Sequence, residues 1–195
     1  IGLTFDDVCL VPVYNNVASR TEPCLKSYLA RGISIDIPLI NSPMSTVINS
    51  KLAIELEKLG TIPIFHRFYA DLDILRQDIQ TYHKVADNHF FISIGIKDNE
   101  LDLVNELNKK YATFLGVCID ISHGHCSSML DSIKRIKDRS PELKVIAGNV
   151  CTARGTADLI NAGADAVRVG IGPGSNCSTR MVTGFGSPQL TALME

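Results

Sequence analysis

An α/β fold with a parallel sheet is predicted by three observations. Six short apolar runs recur along the chain (IPLINS, TIPIF, HFFISIGI, ATFLGVCID, LKVIAGN and ADAVRVGIG), each bounded by Gly, Pro, Asn or Asp. Stretches with helical spacing lie between them. Continuous apolar strands alternating with helices imply crossover connections and a sheet covered on both faces. The unit repeats roughly every 25 to 30 residues, which suits either a doubly wound sheet or a (β/α)8 (TIM) barrel.

The elements follow in order. Residues 1–36 precede the repeat and read as an irregular or hairpin lead-in able to plug one end of the sheet. The βα repeats occupy 37–195, and the whole chain reads as one domain. IPLINS is the first strand. Leu52, Leu56 and Leu59 mark a helix that Gly60 ends, and TIPIF is the second strand. Leu72, Leu75 and Ile79 mark the next helix, before HFFISIGI. Leu101, Val104 and Leu107 mark a third, before ATFLGVCID. Met129, Ile133 and Ile136 mark a fourth, stopped by Ser140-Pro141 ahead of LKVIAGN. Thr152 opens a fifth and Gly163 closes it, ahead of ADAVRVGIG. Pro188 opens a sixth. A complete barrel needs eight strands and about 250 residues. Six strands fit here, so the sheet is open or the chain is the front of a longer barrel. The second is favoured, because the sequence stops inside a helix with no cap.

Composition narrows the function classes. The 195 residues are 45% hydrophobic and 21% charged, with 19 Lys and Arg against 21 Asp and Glu, a net charge of −2. That balance argues against a nucleic-acid partner, which a basic protein would suit. No apolar run approaches the roughly 18 residues of a membrane span, so no membrane partner is expected. The six cysteines (Cys9, Cys24, Cys118, Cys126, Cys151, Cys177) form no Cys-x-x-Cys pair and read as reduced thiols of a cytoplasmic protein.

The chemistry-bearing residues cluster just after the strands. They are Ser42, Pro43 and Met44; His66 and Arg67; Gly95 and Lys97; Asp120, Ser122, His123 and His125; Asn149; and the run Gly170 to Arg180. In parallel α/β folds the C-terminal strand ends form one face, and that face carries the chemistry. The Gly170-Ile-Gly-Pro-Gly174 loop, with the Ser175 hydroxyl, reads as a phosphate cradle or as a tight turn. It is not a dinucleotide fingerprint: the third glycine is missing at the needed offset and no helix is expected to begin within the loop. Cys177 sits in this polar loop near Arg180, and reads as a nucleophile whose thiolate backbone donors and a cation would favour, or as an incidental small residue. Thr179 is placed to relay a proton or to cap a turn. Asp120 suits the two hydroxyls of a ribose, or the N-cap of the following helix. Arg67 suits a phosphate or a surface carboxylate. His-x-His-Cys at 123–126 is discounted as a metal site, since no second cluster supplies further ligands. His83 and His89 read as surface residues, and Asp6 as a turn cap.

Gly172-Pro-Gly-Ser-Asn-Cys-Ser-Thr-Arg180, followed by Thr-Gly-Phe-Gly-Ser-Pro-Gln-Leu190, resembles the signature of the IMP dehydrogenase/GMP reductase family. Leu3-Thr-Phe-Asp-Asp-Val8, Ser42-Pro-Met44, Asp120-Ile-Ser-His-Gly-His125 and Ala147-Gly-Asn-Val150 match as well, in the family's order. The resemblance covers essentially the whole chain. It implies a (β/α)8 barrel, assembled as a homotetramer, whose last two strands are absent from these 195 residues. Only 23 residues separate Arg67 from Phe91, so there is no inserted regulatory domain of the kind dehydrogenases usually carry after the second strand. Ser19-Arg20, the basic Arg67 after His66, and Thr183-Gly184 resemble the reductase branch. The resemblance therefore implies NADPH-dependent reductive deamination of GMP to IMP in purine salvage. The alternatives are an NAD-dependent IMP dehydrogenase lacking the insert, and a non-catalytic nucleotide-binding barrel.

The resemblance also implies roles. Cys177 is the nucleophile that forms a thioimidate at purine C2, and Thr179 moves the proton. Ser42, Met44, Asn149, Gly174 and Ser175 bind the nucleotide, with Arg168 supporting the base or the loop. Ser19, Arg20, Arg67, Asp120, Ile121, Ser122, Ile171 and Gly172 face the dinucleotide. Gly172, Gly174 and Cys177, with Arg180 nearby, hold a potassium ion. Ser45, Ile121 and Ser178 depart from the residues usual in the family at these places.

Overall fold

The computed structural model describes residues 2–85, 88–97 and 99–195. Five parallel strands form the main sheet: β3 (Ile64–Phe65), β4 (Phe90–Ile94), β5 (Phe114–Asp120), β6 (Lys144–Val150) and β7 (Ala166–Val169). They lie side by side in chain order, without reversal. A doubly wound sheet reverses its order at a switch point. The sequential order is that of one arc of a barrel, although five strands do not by themselves close one.

Helices carry the crossovers: α1 (Ser50–Lys58), α2 (Leu72–Val85), α3 (Asn99–Lys110), α4 (Ser127–Arg139) and α5 (Ala153–Asn161). Two short helices follow β7, α6 (Ser178–Thr183) and α7 (Gln189–Met194). Each crossover helix lies where the periodicity predicts it. Thr152 caps α5 by accepting from the Gly155 N–H at 3.1 Å, satisfying one of the donors a helix start leaves free. Ser140 ends α4, while Gly60 and Gly163 follow the ends of α1 and α5.

The strands alternate two apolar faces. Phe65, Ile92, Val117 and Val145 pack outward against Ile79, Leu107, Met129, Ile133 and Leu159 of the helices. Ile64, Phe91, Cys118 and Ile146 form a smaller cluster on the opposite face. The lead-in supplies an antiparallel hairpin, β1 (Ser27–Ala30) and β2 (Ile33–Ile35). Its Leu29 packs against that second cluster, and the Arg31 N–H bonds the Asp165 carbonyl at the entry to β7. The hairpin thus sits by the N-terminal end of β7. Residues 2–4 lie across the other side of the molecule: the Leu3 N–H donates to Thr191 Oγ1 at 2.6 Å, and the Thr191 N–H to the Leu3 carbonyl at 3.2 Å. Among the described residues no helix is long and apolar enough to cross a membrane.

Two sheet positions are exacting. Gly116 has φ +150°, and a Cβ there would stand 1.9 Å from the Lys144 carbonyl oxygen of the neighbouring strand. Asp165, almost buried, accepts from Lys137 Nζ at 2.5 Å and from the Val145 N–H at 2.9 Å, joining α4 to β6 and to the start of β7.

The sequence predicts six strands, and the structure has five in this sheet. IPLINS is not a strand. The Asn41 side chain takes over the work of a backbone ladder: its amide donates to the Ile64 carbonyl at 2.8 Å and its oxygen accepts from the Ile64 N–H at 2.9 Å. Thr61 Oγ1 holds the Leu39 carbonyl at 2.6 Å. The segment runs beside β3 with an apolar composition like a strand's, but its pairing is made by side chains. Asn41→Ala is expected to cost about 2 to 4 kcal/mol, because both Ile64 groups are left unsatisfied in a buried site. Chemical denaturation of the variant measures this loss.

Other expectations also change. A helix does begin at the end of the glycine loop, at Ser178. Asp7, not Asp6, caps the first turn, accepting from the Thr4 N–H at 2.6 Å. His83 is no plain surface residue: its ring stacks on Tyr111 at 4.6 Å and meets Phe90 edge-on. His89 is exposed, as expected.

Candidate functional site

The C-terminal ends of β3 to β7 surround a cleft of about 530 Å³. The turn after Asn41 brings Ser42 and Met44 to it, and the segment after β3 brings Arg67 and Phe68. Asp120, Ile121 and Ser122 come from the end of β5, Asn149 from β6, and Arg168 from β7. The loop after β7 adds Ile171, Gly172, Cys177 and Thr179. Twelve of the residues given roles from the sequence therefore meet in one place, although they are spread from position 42 to position 179.

Others do not. Ser19 and Arg20 lie in an exposed turn, closed by the Glu22 N–H on the Ser19 carbonyl at 3.1 Å, and do not line the cleft. Gly174 and Ser175 on the loop, and Arg180 in α6, are exposed and do not line the cleft. There the Arg180 guanidinium reaches the Ser175 carbonyl at 3.5 Å.

Cys177 is the N-cap of α6, and its own N–H bonds the Gly174 carbonyl at 3.1 Å. The backbone N–H groups of Arg180 and Thr179 face its sulfur, aided by the Thr179 hydroxyl and the Gly172 N–H, and hold the thiol below the ordinary range. A helix start thus stabilises thiolate at the cleft wall. Cys118 is the opposite case: burial pushes its thiol up to about 11, so it stays neutral. Cys177 is therefore expected to be alkylated by iodoacetamide at neutral pH while Cys118 resists. The Cys177 rate should rise with pH and level off below the range of a free thiol. Thr179→Val should move that plateau upward, as peptide mapping after timed alkylation would record.

The cleft walls are tied together from behind. The Asn149 amide donates to the Gly170 carbonyl at 2.8 Å. The Gly124 N–H holds the Asn149 carbonyl at 2.7 Å, fixing the turn after β5 to β6. Gln189, part of the family-like run but assigned no role in it, lines the cleft and donates to the Val169 carbonyl at 3.0 Å. Its place after Pro188 marks only a helix start, so nothing in its spacing singles it out. Asp120 is not the cap of α4, which begins after Cys126. It is bound instead by Arg168 Nη1 at 2.5 Å, so Arg168 serves this carboxylate. Arg67 lies over the Phe68 ring, 4.6 Å from its centroid, and is in no ion pair among the described residues. Its charge stands at the cleft wall, where an anionic ligand could meet it.

His66 is buried and stacked on Tyr69 at 3.8 Å, with Nδ1 accepting from the Phe68 N–H at 3.0 Å. Burial lowers its pKa, the Asp78 charge opposing only in part, so it is a neutral prop for the Arg67–Phe68 turn. His125 pairs with Asp158 of α5 at 2.8 Å. Among the described residues no three His, Cys, Asp or Glu side chains gather as a metal site.

A second cavity of about 430 Å³ adjoins the first, sharing Ser122, Ile171 and Thr179. His123, Cys151, Thr183 and Phe185 complete its walls, which are mostly apolar. The two chambers meet at Ser122, Ile171 and Thr179, and each is of a size for a flat ring and its surroundings. For a cation, the carbonyls of Gly172, Gly174 and Cys177 are the relevant donors. Those of Gly174 and Cys177 each accept one N–H bond, from Cys177 and Met181, and each keeps a second lone pair. Neutral carbonyl oxygens are donors of the kind that hard cations take.

Comparison with known proteins agrees on one family. A family model described as the IMP dehydrogenase / GMP reductase domain matches residues 2–195. The chain is 40% identical to a GMP reductase of Ligilactobacillus salivarius over 185 residues, 94% of this chain and 55% of that protein. It is 39% identical to a GMP reductase of Bacillus subtilis over 191 residues, 97% of this chain and 57% of the relative. An inosine-5'-monophosphate dehydrogenase of Borreliella burgdorferi is 35% identical over 241 residues, covering 100% of this chain and 59% of the relative. The chain thus spans between half and two thirds of the length of these curated relatives.

Proposed function

The chain belongs to the IMP dehydrogenase / GMP reductase family, and on that premise we propose that it carries the catalytic half of a GMP reductase, an oxidoreductase converting GMP to IMP and ammonia with NADPH. The observation that carries this reading is the placing of Cys177, a thiol favouring thiolate, in the same cleft as Asp120, Asn149 and Arg168, with an apolar chamber adjoining it at Thr179.

The residues divide the work. The thiolate of Cys177 adds to C2 of the guanine ring. The C2–N bond breaks, and the amino group leaves as ammonia with protons delivered through Thr179. The resulting thioimidate accepts a hydride at C2 from the reduced nicotinamide. The C–S bond then breaks, releasing IMP and the thiolate. Ser42, Met44 and Asn149 hold the purine side, while Gly174 and Ser175 of the loop receive the phosphate. Asp120, Ile121, Ser122, Ile171 and Gly172 line the dinucleotide side, with Arg67 as its cationic contact. The carbonyls of Gly172, Gly174 and Cys177 would hold potassium, whose charge would stiffen the loop. Ser19 and Arg20 lie outside this chain's cleft, so any contact they make with the dinucleotide comes from another copy in a homotetramer.

Two observations favour the reductase over the dehydrogenase branch. The relatives at 39–40% identity are reductases, against 35% for the dehydrogenase. The match to the dehydrogenase also runs over 241 residues, more than this chain's 195, so that relative carries extra sequence inside the matched region. The deciding experiment is nicotinamide absorbance in potassium buffer, in two cuvettes. Falling absorbance with GMP and NADPH is the expected result. Rising absorbance with IMP and NAD would make the protein a dehydrogenase without the insert. No change in either, with nucleotide still bound, would leave a non-catalytic barrel.

A further inference from the structure

Asp120, Gly148 and Arg168 are register partners on three neighbouring strands: Asp120 pairs with Gly148, and Gly148 with Arg168. Arg168 therefore reaches Asp120 across the full width of β6, about 10 Å at two strand spacings. The crossing is possible because position 148 has no side chain. A Cβ there would stand 2.6 Å from Arg168 Cβ and 2.8 Å from its carbonyl oxygen. Over this opening, Arg168 Nη1 donates to Asp120 Oδ1 at 2.5 Å.

We propose that Arg168 is a positioning residue, which reaches over Gly148 to fix the Asp120 carboxylate for the ribose hydroxyls of a dinucleotide. The inference rests on the reading that Asp120 faces the dinucleotide. Three further features support it. Both side chains lie at the cleft wall and stay about a quarter exposed, unlike a core tie. Only Oδ1 is engaged by the arginine, and Oδ2 has no partner among the described residues, leaving an acceptor for a ligand hydroxyl. The Cys118 sulfur beneath, 3.8 Å from Nη1, stays a neutral thiol, so no second anion competes for the guanidinium. A carboxylate held by a planar cation keeps its orientation before the ligand arrives, which is what a diol-binding group needs.

The test measures NADPH binding by nicotinamide fluorescence and GMP binding by calorimetry on the same preparations. Arg168→Met should weaken NADPH on the order of tenfold or more, the effect of losing a charge-assisted bond. GMP affinity should stay within about twofold. Arg168→Lys should recover part of the loss. In the double variant with Asp120→Asn, NADPH should bind no more weakly than to Asp120→Asn alone, because the arginine acts through that carboxylate. Unchanged NADPH affinity in Arg168→Met, or equal losses for both nucleotides, would overturn the proposal. If Arg168→Met does not fold, full additivity of Arg168→Lys with Asp120→Asn overturns it instead. A wild-type protein that binds GMP but gives no NADPH signal would overturn the underlying reading of Asp120, and this proposal with it.

Discussion

Cys177→Ala is expected to abolish hydride transfer while GMP still binds. In the proposed reaction the sulfur forms the bond that makes C2 a hydride acceptor, and neither of two other thiols is placed to replace it. Cys118 is buried with its thiol pushed up to about 11, and Cys151 lines the other chamber. Removing a covalent nucleophile costs on the order of 10⁴-fold in rate or more. Binding should change only a few-fold, since the nucleotide is held by other groups. Turnover by absorbance and affinity by calorimetry separate the two quantities. A variant retaining more than a hundredth of the rate would remove Cys177 from the chemistry.

The largest expected effect on folding is at Gly116. With φ at +150° and the Lys144 carbonyl oxygen 1.9 Å from any Cβ, Gly116→Ala cannot be relieved by a side-chain movement. The obstacle is backbone, so β5 must part from β6 in the middle of the sheet. The expected cost is about 4 kcal/mol or more, a fall in Tm of roughly 10 °C. Gly174→Ala is the control. A Cβ there meets nothing within 4 Å, and stability should stay within about 0.5 kcal/mol. Equal melting of the two variants would mean that β5 and β6 are not packed this closely.

Much of this site was legible in the sequence because of one regularity. Apolar runs fix the strands, and the residues just beyond them share an end of the sheet. That places Ser42, Arg67, Asp120, Asn149 and Cys177 together without any knowledge of their contacts. What escaped has physical causes. IPLINS has a strand's composition, and only the Asn41 amide, bonded 23 residues away, shows why it is not one. Helix α6 has six residues, too few for a period to show. The Arg168–Asp120 pair spans 48 residues and depends on the absence of a side chain at Gly148, which no spacing rule detects. His83 follows helical spacing onto a surface, yet two aromatic neighbours from other elements cover its ring.

The bracket between Leu3 and Thr191 bears on how the protein is made. A chain emerges from the ribosome N-terminus first, so Leu3 is synthesised 188 residues before the partner that holds it. At roughly 5 to 20 residues per second, that is a wait of about ten seconds or more. During that time the βα units can close locally, each strand on the one before it. The nucleophile's loop is different. It lies between β7 and α7, and the Ser187 N–H ties its far end to the Ile171 carbonyl. Its outer support includes Pro188, against which Gly2 packs. Residues early and late in these 195 thus complete the same corner, and the Cys177 thiol is braced only when synthesis has passed Thr191. By then all five strands of the sheet have been made.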